Sequence, residues 1–283
     1  MGLFNYNIEK YSPQQLVVIP LVLLVLSLAF VAFYMATTGM PVTPGLDFSG
    51  GTAVTIRTTD SNDQLRAVFA DYPLVEISDM NDAKFIKFGT MDDATSRSLS
   101  ALVSEKYSDA SINQISETFG KSLQYQAFIA LIFSFIGMAI VVFVSFRTFV
   151  PSVAVVLSAF ADMVMTAAAM NLMGITLTLG TTAALLMLIG YSVDSDILLT
   201  NRVLKRQGKL NDKLTGAFHT GIIMISTTFA AIAVLFVVSW IGSIQILMEI
   251  SAVLLIGLFF DVINTWLTNV GILKWYVLKG GGK

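Results

Sequence analysis

Apolar residues run almost unbroken through six stretches of the chain: 16–36, 123–147, 151–174, 175–201, 217–240 and 244–276. Each can cross a bilayer core, which takes roughly 20 apolar residues as a helix. The last is long enough to tilt or to project beyond the membrane. A short polar tail, residues 1–15, precedes the first stretch, and its only cation is Lys10. That first run exceeds the roughly 7–15 residues of a signal-peptide core, and no small-x-small cleavage site follows, so it reads as an uncleaved anchor.

Between the first and second stretches the pattern changes. Within residues 37–122, "TAVTIRT" alternates like a strand, and "NDQLRAVFADY" reads as an amphipathic helix with an Asn cap. "PLVEISDM" and "AKFIKFG" are two further strands, joined by a hairpin turn at Asp79–Asp82. "DDATSRSLSALVSEKY" is a second helix and "ASINQIS" a last strand. The order β-α-β-β-α-β is the ferredoxin-like split pattern. This segment has no Gly-rich phosphate loop, no His and no metal-ligand cluster, so it reads as a binding or spacer module.

Composition agrees with a membrane as solvent. Hydrophobic residues make up 55% and charged ones 13% of the 283 residues, against about 25% charged in a soluble domain. The formal charge of −2 gives no sign of nucleic-acid binding. No cysteine is present, which excludes disulfides, thiolate metal sites and a catalytic Cys. The fold class predicted is an α-helical membrane protein of six transmembrane helices, with one extracytoplasmic α+β domain between helices 1 and 2.

Loop charges set an orientation. Arg202, Lys205, Arg206, Lys209 and Lys213 crowd residues 202–216, Arg147 follows span two, and Lys274, Lys279 and Lys283 surround the end of span six. The short loops near 173–174 and 239–243 carry no Lys or Arg. Positive-inside bias puts these basic loops, the 1–15 tail and the 277–283 tail in the cytoplasm of a cell-membrane protein, with residues 37–122 outside.

Candidate chemistry lies where charge interrupts the apolar runs. An ionisable residue inside a membrane is costly and marks a functional position. Asp162, Asp194, Asp196, Glu249 and Asp261 fall within spans; Glu249, near the outer end of span six, reads as an interfacial acid. Asp194 and Asp196 are two residues apart, about 200° around a helix, so at most one faces a given partner. The chain's only histidine, His219, opens span five, and a contact with either acid across the short basic loop is geometrically open. Such a carboxylate–imidazole pair can change protonation near neutral pH and bias two helix packings. The alternative is that the acids bind polar helix neighbours as structural glue.

Two motifs carry a resemblance. "PGLDFSGGT", Pro44 to Thr52, stands where the first span meets the outer segment, and "GYSVDSDILLTNR" spans residues 190–202. With the layout of one span, an outer domain and five spans, they make the whole chain resemble the SecD–SecF protein-export family, in its smaller-subunit, archaeal-type form. That family belongs to the resistance–nodulation–division superfamily. The resemblance implies a partnership with SecD and with the Sec translocon channel, action on a translocating pre-protein within the lipid bilayer, and use of the proton gradient. It implies no catalysis, cofactor or metal. Proton-coupling candidates are Asp194, Asp196, His219, Asp162 and Asp261. The domain-junction motif is Gly45, Asp47, Gly50 and Gly51, where glycines permit tight backbone approach and Asp47 can cap or pin the junction. In bacterial members an Arg-Thr pair stands about where His219 and Thr220 stand here. Asn-Asp follows "GYS-x" there, where Asp194-Ser195-Asp196 stands here; Asp194, aligned with that Asn, is the preferred candidate for the buried role, with Asp196 close behind because its depth matches that of His219. Two other function classes are a passive membrane scaffold and an intramembrane aspartyl protease, though no Gly-x-Gly-Asp stretch is present for the latter.

Overall fold

The computed structural model describes residues 10–80 and 83–280. Helix α1, Pro13–Thr38, begins at a capping box in which Ser12 and Gln15 satisfy each other's backbone N–H, and it ends at Gly39 in the left-handed region (φ 80°). A four-residue helix α2, Leu46–Ser49, leads into the α+β domain. The domain follows as β1 (Gly51–Ile56), α3 (Asn62–Val68), β2 (Leu74–Met80), β3 (Ala83–Phe88), α4 (Asp93–Lys106) and β4 (Ser111–Ile115). The bundle continues with α5 (Glu117–Phe146), α6 (Phe149–Met173), α7 (Leu179–Lys205), α8 (Leu210–Ile241) and α9 (Gln245–Ile263). A π-helical turn, Asn264–Asn269, then joins α9 to α10 (Val270–Leu278).

The sheet is antiparallel in the order β2-β3-β1-β4. Val54 stands opposite Ile86 on one side and Ile112 on the other, so one face of the sheet presents an apolar row. Val54, Ile56, Ile86 and Phe88 of that face close on Leu65, Phe69, Leu99 and Val103 from α3 and α4. The β-α-β-β-α-β order is the one that the alternation predicts. One local detail differs: the cap of α3 is Ser61, whose side chain accepts from Gln64 N, and Asn62 is the first helical residue. Ser61 wins because Gln64, three residues on, returns a bond to its backbone. Met80 pairs with Ala83, while Asn81 and Asp82 of the expected hairpin turn lie outside the described residues.

Among the described residues, six helices are long and apolar enough to cross a membrane, with α9 through α10 as the sixth. Burial divides them. The apolar windows of α6 and α7 are 61% and 56% buried, against 17%, 11% and 17% for α1, α5 and α8. The interior is therefore built from α6, α7 and α9, and the others offer broad apolar surfaces outward. Residues 175–177, expected at the start of span four, are not helical. Thr178 caps α7 through Thr181, and the preceding segment pairs instead with residues 43–45.

Candidate functional site: a buried acid cluster and its link to the domain

Three carboxylates are fully enclosed in the bundle: Asp162 on α6, Asp196 on α7 and Asp261 on α9. On α7 the buried face runs through Leu185, Leu188, Ser192, Asp196, Leu199 and Val203, a helical period that turns Asp196 toward α6 and α9. Asp194, about 200° away, falls in an exposed stripe with Leu179, Ala183, Met187 and Gly190. The preference for Asp194 as the buried acid is thus corrected to Asp196. The two positions are equivalent by composition, and the packing of α7 against its neighbours decides between them.

The carboxylates meet hydroxyls and amides. Asp162 accepts from Ser192 Oγ (2.6 Å) and from Asn264 Nδ2 (2.6 Å), so both its oxygens are satisfied. Asp196 Oδ1 accepts from Asn269 Nδ2 at 2.7 Å. Thr265 Oγ1 lies 2.9 Å from Asp196 Oδ1 and 3.1 Å from Asp261 Oδ1. A threonine has one hydroxyl proton. Both of these contacts are hydrogen bonds only when one carboxyl carries a proton and donates it to the threonine oxygen. The second oxygens of Asp196 and Asp261 are buried without a hydrogen bond among the described residues. No Lys, Arg or His among the described residues forms an ion pair with any of the three acids.

The partners Asn264, Thr265 and Asn269 come from the π turn, which reading the sequence missed. Its wider coil gathers Asn264, Thr265, Thr268 and Asn269, all buried, against α6 and α7, and such turns recur at functional sites. The available signal was four polar side chains in "NTWLTN", inside an otherwise apolar run. Trp266 of the same turn packs over Gly221 of α8, where an added Cβ would meet the ring at 2.2 Å.

His219 is not part of this cluster. Leu214, Ala217 and Gly221 set the inward face of α8, and His219 points outward, with its ring 6.3 Å from that of Phe218. The expected approach of Asp194 or Asp196 to His219 does not occur: Asp196 is engaged by the π turn and Asp194 faces outward. Asp194 instead borders an open groove with Asn201, Arg202 and Met224, while Arg202 donates to Thr220 Oγ1 at 2.7 Å. Glu249 is half-buried and accepts from Gln245 at 2.7 Å.

The glycine motif is anchored on the bundle. Gly45 N–H donates to Leu177 O and Leu177 N–H to Thr43 O, both at 2.7 Å. Asn171 of α6 holds the chain just before it, donating to Pro41 O and accepting from Thr43 N. Asp47 Oδ2 accepts from Leu179 N, the first amide of α7, at 2.8 Å. Phe48 O accepts from Gln124 Nε2 of α5 at 3.0 Å. Gly50 (φ 73°) and Gly51 (φ 125°) occupy backbone regions that side chains resist, and a Cβ on Gly50 would meet the Glu117 backbone at 2.8 Å. From the first span, Tyr34 Oη and Thr43 Oγ1 of this junction share a hydrogen bond at 2.5 Å.

Comparison with known proteins bears on this arrangement. Residues 95–279 match the family described as "Protein export membrane protein SecD/SecF, C-terminal". A protein-export membrane protein SecF of Methanolacinia petrolearia is 57% identical over 99% of this chain and 100% of its own length. One of Haloferax volcanii is 42% identical over 96% of this chain and 95% of its own. The crystal structure of SecDF, a translocon-associated membrane protein from Thermus thermophilus, superposes with a TM-score of 0.75 at 21% identity. That match covers 94% of this chain and 38% of the SecDF chain.

Proposed function

The chain belongs to the SecD/SecF family of protein-export membrane proteins, and from that premise we propose that it joins SecD in assisting pre-protein export and release at the outer face of the cell membrane, using the proton gradient. The Thr265 bridge carries the proton part of this reading. Asp196 and Asp261 share the Thr265 donor and pair with no cation among the described residues, and an acid inside a membrane is stable only when its charge is met or removed. A proton entering or leaving that pair changes which groups donate, and so changes how α7 packs against α9 and the π turn.

Two further features fit. The basic residues between α7 and α8, with Lys274 and Lys279 at the chain's end, favour a cytoplasmic location for that side and an extracytoplasmic one for the α+β domain. Asp194 faces outward on a groove with Asn201 and Arg202, a polar surface that a partner subunit can cover; SecD is the partner that the family implies. The protease reading fares worse, because Thr265 occupies the space between Asp196 and Asp261 that a peptide and a water would need.

The test is a reconstituted complex with SecD carrying Asp196→Asn, Asp261→Asn or Thr265→Val. Gradient-dependent export and proton flux should fall in all three while gradient-independent export persists. If all three retain gradient-dependent export, the acids are structural glue and this subunit is a scaffold.

A further inference from the structure

We infer that Asp47 is a positioning residue that fastens the α+β domain to α7, the helix carrying Asp196, so that the buried acids and the domain sit at two ends of one rigid lever. The inference rests on the proposed proton reading for what moves the lever. The connection itself rests on geometry.

Among the described residues, the chain between α1 and the domain meets α1 through the Tyr34–Thr43 hydroxyl pair and the local Thr38–Met40 bonds at the helix end, whereas residues 41–50 are tied repeatedly to the α6–α7 corner and to α5. Of those ties, Asp47 is the one made to the helix end itself. Its carboxylate accepts the first amide of α7, where the helix dipole favours negative charge. Thr178 already caps α7 through Thr181, so helix formation does not require Asp47. What Asp47 adds is a bond across 132 positions of sequence, from the domain's lead-in to the helix. Helix α7 then runs without a break from Leu179 to Lys205. Seventeen residues separate Leu179 from Asp196, about 26 Å at 1.5 Å per residue. On the domain side, only Ser49 and Gly50 separate Asp47 and Phe48 from β1, which starts at Gly51, and Gly50 is packed on the Glu117 backbone. Displacement of α7 along its axis is thus passed to the root of the sheet, and the domain is carried by the fourth span rather than the first.

Two variants test this from opposite ends of the bond. Asp47→Ala removes the acceptor. Leu179→Pro removes the donor at the first helical position, where proline is tolerated, and Thr178 before it is already extended. Amide exchange on the full complex with SecD should quicken about tenfold in residues 51–56 as well as 180–183 in either variant, and combining the two should add nothing further. Asp47→Asn, which keeps an acceptor oxygen, should restore most of the protection. Export should fall in Asp47→Ala and Leu179→Pro while proton flux through the complex is kept. Faster exchange confined to the start of α7 would reduce Asp47 to a local cap and overturn the inference, as would joint loss of flux and export. A wild-type complex without proton flux would sink the proton reading alone, because the exchange measurement decides the lever without a gradient.

Discussion

In the α+β domain no charged residue among those described is fully buried, and some find charged or capping partners: Lys84 with Asp79, and Asp92 with the Thr95 amide at the start of α4. In the bundle, Asp162, Asp196 and Asp261 are sealed away and meet only hydroxyls and amides. The domain therefore keeps its charges at little cost, since water screens them. The bundle keeps acids that no cation among the described residues pairs with, and the one hydroxyl proton of Thr265 cannot serve both Asp196 and Asp261 when both are ionised. A domain of the first kind is suited to binding. A cluster of the second kind is suited to changing its charge.

The largest expected effect that would break this contrast lies at the domain's root. Gly51→Val places a branched side chain at φ 125° with its Cβ 2.4 Å from Phe88 O, so β1 must leave β3. The cost is about 3 kcal/mol or more. Limited proteolysis of the full-length variant should cut within residues 51–115 while the spans remain inserted. An intact, protease-resistant domain would mean that its root is not packed as tightly as the geometry requires.

Next comes the bundle. Asp162→Ala leaves Ser192 and Asn264 without their shared acceptor and should cost roughly 1–3 kcal/mol per orphaned group, read as a lower midpoint of thermal unfolding in detergent. Asp162→Asn keeps one acceptor oxygen and should lose less. Because Asp162 already has both oxygens satisfied, its Asn variant should also disturb export less than Asp196→Asn does. Equal export defects would show that the three acids work as one unit.

The smallest effect is the pH response of the domain. Desolvation and the hydrogen bond from Tyr107 to Asp60 push the tyrosine up to about 12 from its usual 10.0. The neutral phenol is the form that folding favours. Its contribution is complete below pH 10 and is lost as pH rises through 12. At the other end, the Lys84 and Asn62 hydrogen bonds hold Asp79 below the usual carboxylate range. Its contribution is complete above the usual value of 3.8 and is lost as pH falls through the lowered one. Absorbance titration near 295 nm of full-length protein and an Asp60→Asn variant checks the first, which should ionise at lower pH without Asp60.

How far the sequence reaches differs between these regions. The domain's six elements were readable because strand alternation and caps such as Asp92 act over a few residues. The same holds for the six apolar runs, whose length alone marks them against a bilayer. The glycine motif was readable as a junction, but not that Asp47 reaches Leu179, because nothing local connects positions so far apart. In the bundle, Asp194 and Asp196 offer two nearly opposite faces of one helix, and His219 likewise depends on the rotational phase of α8.

By itself, the sequence determined the spans, the βαββαβ order, and the presence of acids where a membrane should exclude them. Only the tertiary structure decided that Asp196 is the inward acid and that His219 stands apart. It alone brought Asn264, Thr265 and Asn269 to the acids, through a π turn whose wider coil the polar residues of that run do not by themselves specify. The physical reason is the same in each case. Hydrophobicity and capping are properties of neighbours along the chain, whereas the phase of a helix in a bundle is set by what it packs against: Gly221 under Trp266, and Gly257 under Leu188.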